Sequence, residues 1–169
     1  VRVVIVDDNA LSREFLVSQM KLWGMRAEAA PDGASALSAL RRAAGEKDPF
    51  RVAVVDMAMP GMNGEAVGRA IKADPLLAST QAILLAVPGT PANVEHLQEI
   101  GFAASVSKPI RGDELREALL RILTDAGNNG SRTGAAYPRK NEILSDFAPR
   151  KARILLVEDN ITNQQVALG

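Results

Sequence analysis

Four side chains in this sequence sit at the downstream ends of apolar runs. Asp7 and Asp8 follow Val3–Val6, Asp56 follows Val52–Val55, and Lys108 comes after Ala103–Val106. An oxygen-only donor set, without His or Cys, suits a hard ion such as Mg²⁺, which takes few protein ligands and keeps several waters. Carboxylates brought together repel, and their pKa values rise unless a cation sits among them. The lysine offers a fixed positive charge to a phosphoryl oxygen. Together the four can run a phosphoryl transfer. Asp56 would be the nucleophile and form an aspartyl phosphate; the metal would bridge and screen the oxygens. Lys108 would pair with another oxygen, and little more is needed, because such transfers are mostly positioning and charge stabilisation. Each residue also has a plainer use. Asp7, Asp8 and Asn9 could cap a helix, Asp56 could end its strand, and Lys108 could be a surface lysine before a turn.

The chemistry depends on elements that bring these positions together. Val3–Val6, Val52–Val55 and Ala82–Val87 are apolar without alternation, as strands buried on both faces of a parallel sheet are. Met25–Ala30 alternates and Ala103–Val106 is short, so both are expected at sheet edges. Helical patterns lie between the strands. Leu11, Phe15, Leu16, Met20 and Trp23 are expected on one face of the first helix, which Gly24 stops. Asp32 is expected to cap the second helix, with Leu37 and Leu40 inward. Val67 and Ile71 mark the third, stopped at Asp74-Pro75. Thr90–Ile100 and Asp113–Leu123 complete the series. The order βαβαβαβαβα predicts an α/β fold: a doubly wound, five-stranded parallel sheet with flavodoxin-like order 2-1-3-4-5. In that order the first and third strands are neighbours at the switch point, so the acids converge.

Residues 125–151, rich in Gly, Asn, Ser and Pro, read as a linker. Residues 152–169 begin with Arg153-Ile154-Leu155-Leu156-Val157-Glu158-Asp159-Asn160, an echo of Arg2–Asn9 placed 151 positions on. This is the start of an internal repeat, and the chain is expected to be a fragment of a longer protein. Eighteen residues cannot bury a core. Ile154–Val157 is therefore expected to be disordered or to pair with a sheet edge, with a strand-exchanged dimer as one outcome. The formal net charge is zero and there is no cysteine. Neither a nucleic acid nor a membrane surface is expected as a partner, and the composition fits a cytoplasmic setting. No apolar stretch approaches the ~18 residues of a membrane helix. The single histidine, His96, lies beside Glu95 and reads as a solvated surface residue; there is no Gly-rich nucleotide loop.

The Asp7-Asp8 pair, the run V-V-D-M-A-M-P-G-M-N-G around Asp56 and the run S-K-P-I at Lys108 resemble a response-regulator receiver domain over residues 1–124. The repeated start resembles a second receiver, and the tandem resembles the C-terminal region of a hybrid sensor histidine kinase. The resemblance implies that Asp7 and Asp8 hold Mg²⁺, that Asp56 is the phosphoacceptor and also contacts the metal, and that the main-chain carbonyl of Ala58 is a further metal ligand. Lys108 becomes the phosphate-binding lysine. The donor would be a phosphohistidine on a kinase or phosphotransfer domain, and the second receiver of the same chain would be a partner. The parent protein could be membrane-anchored. This segment would catalyse at most its own phosphorylation and dephosphorylation.

Two positions depart from the family's pattern. Ala86 stands where a Thr or Ser hydroxyl is expected at the end of the fourth strand. Ser105 stands where an aromatic residue is common, three before the lysine. Thr90 and Ser107 are nearby hydroxyls at other positions. Two functions of different class follow: a phosphorylatable receiver, or a pseudo-receiver that regulates a histidine kinase by docking without phosphate.

Overall fold

In a computed structural model the chain divides into two units, Val1–Asn129 and Gly130–Gly169. The structure describes residues 1–87 and 94–125, all in the first unit. Beyond Asp125, the predicted linker (residues 125–151) and the predicted second copy (residues 152–169) lie outside the described residues, and with them the predicted strand exchange.

Five strands, β1 (Arg2–Val6), β2 (Arg26–Ala30), β3 (Val52–Asp56), β4 (Gln81–Ala86) and β5 (Ala104–Ser107), form one sheet of order β2-β1-β3-β4-β5. Every pairing is parallel. The predicted topology and both predicted edge strands are thus observed. Helices α1 (Ala10–Leu22), α2 (Gly33–Gly45), α3 (Gly64–Ala73), α4 (Val94–Glu99) and α5 (Gly112–Asp125) connect the strands, with a short 3-10 turn at Pro75–Leu77.

Strand alternation sends successive side chains to opposite faces, and the core divides accordingly. Val4, Val6, Ala53, Val55, Ala82 and Leu84 pack with Leu37, Leu40, Val67, Ile71 and Leu97 on the side of α2, α3 and α4. Val3, Ile5, Val52, Val54, Ile83 and Leu85 pack with Leu16, Met20, Leu115 and Leu119 on the side of α1 and α5. All five residues of β3 are buried, which is why that strand shows no alternation.

Local signals bound the helices, at Asp32 and Gly24 as expected. Asp32 caps α2, its carboxylate accepting from the Ser35 amide at 2.7 Å and the Ser35 hydroxyl at 2.9 Å. Asn63 caps α3. Gly24 follows α1 in the left-handed region, at φ +75°, where a residue without Cβ has no steric cost.

The first helix departs from expectation. Leu16 and Met20 are fully buried, but Leu11 is 76% and Phe15 48% exposed. The buried stripe follows the i, i+4 pair Leu16–Met20, and the i, i+4 pair Leu11–Phe15 lies on a different face of the helix. In β2, Ala29 is exposed rather than sharing the inward face of Ala27. The fourth helix is described only from Val94, so the predicted start at Thr90 lies outside the described residues.

Candidate functional site

The three acids and the lysine meet at the carboxyl rim of the sheet. Asp7 leaves β1, its amide donating to the Ala30 carbonyl at 3.3 Å, and Asp56 is the last residue of β3. Because β1 and β3 are paired, Asp7, Asp8 and Asp56 each place a carboxylate oxygen within 4.8 Å of the others. Asp7 and Asp56 are buried, at 0% and 3% exposure, and Asp8 is exposed. Lys108 follows β5, its amide bonded to the Ala86 carbonyl at 2.9 Å. Its peptide to Pro109 is cis. The side chain spans the end of β4 and puts Nζ 2.8 Å from Asp56 Oδ2 and 3.6 Å from Asp7 Oδ2.

Two buried carboxylates side by side require compensation, and the ammonium provides it. Partial burial pulls the Lys108 pKa down. The hydrogen bond and charge of Asp56, joined by those of Asp7, outweigh it and hold the group above its ordinary value. The cation that the acids were expected to need is therefore present in the protein itself. The other carboxylate oxygens of the pair also have partners. Asp56 Oδ1 accepts the Ala58 amide at 3.3 Å. Asp7 Oδ1 accepts the Asn9 amide at 2.8 Å, and Asp7 Oδ2 accepts the Ser12 hydroxyl at 2.6 Å.

The donor set fits a hard divalent ion. It is all oxygen, its atoms lie close enough to share one ion, and the exposed Asp8 opens one side to water, as Mg²⁺ requires. Asp7, Asp8, Asp56 and Lys108 are thus brought together as predicted. Ala58 is exposed in the loop directly after Asp56.

One sequence reading needs revision. His96 is not simply a solvated residue: its Nε2 lies 3.4 Å from Glu65 Oε1 of α3, and its side chain is 45% exposed. Residues 65 and 96 meet only through the packing of α3 beside α4, which sequence spacing does not show. Ser12 escaped the sequence reading altogether. A signal for it existed, since it stands three residues after the helix cap Asn9, where its amide donates to the cap's Oδ1.

Ala86, at the end of β4, is buried and in register with Ser107. Ser105 and Ser107 alternate with Ala104 and Val106, which face α1 and α5, so the two serines lie on the α4 side of the sheet.

The strand order and this rim define a doubly wound α/β domain built around one acidic pocket. The chain belongs to the response regulator receiver domain family, whose sequence model matches residues 3–120, and it is a receiver domain of two-component signalling. It is 27% identical over 122 residues to the sensor histidine kinase RcsC of Salmonella typhi, a match covering 69% of this chain and 12% of that protein. It is 33% identical over 122 residues to the probable transcriptional regulatory protein NarL of Mycobacterium tuberculosis, covering 71% of this chain and 53% of that one. The chain thus spans between 12% and 53% of the length of these relatives. Among solved structures, it resembles the signal receiver domain of a histidine kinase from Syntrophus aciditrophicus, with TM-score 0.64 and 26% identity, covering 80% of this chain and 98% of that one. It also resembles the chemotaxis protein CheY4 of Vibrio cholerae, with TM-score 0.62 and 26% identity, covering 72% and 97%. Among the described residues no helix is long and apolar enough to cross a membrane.

Proposed function

We propose that this domain is a phosphoacceptor in a phosphorelay, taking a phosphoryl group from a phosphohistidine onto Asp56. The observation that carries this reading is the convergence of Asp7, Asp8 and Asp56 within 4.8 Å, closed by Lys108 at 2.8 Å from Asp56. An Asp56 oxygen attacks phosphorus, the new O–P bond forms as the N–P bond to the imidazole breaks, and the imidazole leaves with the bonding pair. Lys108 passes from the Asp56 carboxylate to a phosphoryl oxygen, so its charge stays where negative charge accumulates. Asp7, Asp8 and Asp56, with the Ala58 carbonyl, would hold Mg²⁺. When bound, that ion neutralises charge between carboxylate and phosphoryl oxygens. The donor is a phosphohistidine on a kinase or phosphotransfer domain. The parent protein is a hybrid histidine kinase in which a second receiver follows this one, and this domain works in the cytoplasm.

The test is incubation with acetyl phosphate and Mg²⁺, followed by intact mass. One phosphoryl adduct is expected on the wild type and none on Asp56→Asn. No adduct on the wild type, under conditions that label a control receiver, would refute the reading.

A second reading has its own observation in its favour. Ala86 carries no hydroxyl at the end of β4, and Ser105 carries no aromatic ring in β5. A domain that docks to a kinase without phosphate needs neither. It would bind its kinase equally with or without acetyl phosphate.

A further inference from the structure

Asp7 is the most enclosed charge of the pocket, and its carboxylate is held from both sides. The Asn9 amide donates to Oδ1 at 2.8 Å and the Ser12 hydroxyl donates to Oδ2 at 2.6 Å. Arg13 donates to the main-chain oxygen of Asp7 at 2.7 Å. The first turn of α1 is therefore clamped to the loop that carries the acids. Within that clamp, only the Ser12 hydroxyl acts on the carboxylate oxygen that faces Lys108. It is the nearer donor by a wide margin: Lys108 Nζ stands 3.6 Å from the same Oδ2, and 2.8 Å from Asp56 Oδ2.

This asymmetry has an electrostatic meaning. Asp7 and Asp56 carry the same charge and compete for one ammonium. A short hydroxyl-to-carboxylate hydrogen bond is among the stronger neutral–charged contacts, and it satisfies Oδ2 without adding positive charge. Asp7 Oδ2 thus has a neutral donor of its own, while Lys108 stays on the residue that is to receive the phosphoryl group. We infer that Ser12 is a positioning residue for the acidic pocket: its hydroxyl fixes the Asp7 carboxylate, leaves it available to a divalent cation, and keeps Lys108 paired with Asp56. The inference rests on the phosphoacceptor reading above, and no side chain other than those named enters it.

Substituting Ser12→Ala isolates the hydroxyl. The helix cap is retained, because Asn9 Oδ1 accepts the main-chain amide of residue 12, at 3.1 Å. Alanine is also the best helix former, so α1 remains intact. Without the hydroxyl, Asp7 Oδ2 is left buried with Lys108 as its nearest donor. The ammonium closes on Asp7, competes with the cation there and leaves Asp56.

The experiment is a calorimetric titration of Mg²⁺ into the full chain, unphosphorylated, for the wild type, Ser12→Ala and Ser12→Thr, at a temperature where thermal melts show all three folded. Ser12→Ala is expected to weaken Mg²⁺ binding by about tenfold, the lower end for loss of a residue that orients a metal ligand. Ser12→Thr keeps the hydroxyl and is expected to bind within about twofold of the wild type. A mere structural defect would move the melt and not be rescued selectively in metal affinity. The inference is overturned if Ser12→Ala binds Mg²⁺ like the wild type, or if Ser12→Thr is as impaired as Ser12→Ala. Those results leave the function reading standing when the wild type still binds Mg²⁺ and forms the Asp56 adduct. A wild type that does neither overturns both.

Discussion

A Cβ placed on Gly64 would lie 2.5 Å from the main-chain oxygen of Asp56 and 2.9 Å from the Cα of Met57. The start of α3 is thereby pressed against the end of the strand that carries the proposed phosphoacceptor, and the Gly64 amide donates to the Met57 carbonyl at 3.0 Å. Both close atoms are backbone, so neither can rotate aside. Gly64→Ala must move α3 or the end of β3. It is expected to destabilise the domain by roughly 1–3 kcal/mol, the range for overpacking, and to slow phosphoryl uptake at Asp56. Urea unfolding and a time course of intact mass check the two effects. A variant as stable as the wild type would show that the junction yields freely.

The Lys108–Asp56 pair predicts a pH dependence of stability. The folded pKa of Lys108 is raised above its ordinary value of 10.5. A raised lysine contributes stability that is fully present below the unfolded value and is lost as pH rises through the folded value. The stability difference between the wild type and Lys108→Met, read by denaturant unfolding from about pH 8 to about pH 11.5, is expected to hold steady and then shrink at the alkaline end. A difference that grows with pH would contradict the pairing.

What the sequence reveals, and what it hides, follows from the range of each interaction. The strand order is legible because three runs are apolar throughout and two are not, which sorts centre from edge without any coordinates. The rim is legible because each of its residues is tied to a strand end. The exposure of Leu11 and Phe15 is not legible. Their i, i+4 spacing looks like that of Leu16 and Met20, and only the position of the sheet beneath α1 tells the pairs apart. The same holds for the network at the opposite edge. Arg2 pairs with Glu28 at 2.6 Å and Asp48 at 3.2 Å, and lies 4.2 Å above the Phe50 ring. Those residues come from β1, β2 and the loop before β3. Arg2 and Glu28 belong to strands whose pairing was predictable in kind, but their register was not.

The connection from α2 to β3 carries a correctable strain. Lys47 has φ +60°, directly after the last turn of α2, and its amide donates to the Ala44 carbonyl at 3.2 Å. A left-handed residue with a Cβ costs roughly 1–2 kcal/mol. Glycine removes that cost, and its greater freedom in the unfolded chain returns about half to one. Lys47→Gly is expected to stabilise the domain by about 0.5–1 kcal/mol. Thermal melts measure it, and phosphoryl uptake should be unchanged, since this loop lies at the amino end of the sheet. A lower melting temperature would mean that the Lys47 side chain contributes more than its backbone costs.

Ala86 offers the sharpest distinction between accepting a phosphoryl group and responding to it. The residue ends β4 beside Ser107, and its methyl group is buried. A methyl group cannot donate a hydrogen bond to a phosphoryl oxygen, so an event at Asp56 has no hydroxyl at this position to draw β4 toward the rim. With beryllofluoride and Mg²⁺ as the phosphoryl mimic, amide shifts in the wild type are expected to stay near Asp7, Asp8, Asp56 and Lys108. In Ala86→Thr they should spread along β5 from Ala104 to Ser107, because the new hydroxyl can reach the mimic and displace the strand end. The substitution adds volume at a buried position, and in the unbound state it should cost about 1–3 kcal/mol, which binding of the mimic then reduces. Chemical-shift maps by NMR read the first effect and unfolding with and without the mimic reads the second. If the two proteins give the same maps, the missing hydroxyl at residue 86 is not what limits the response.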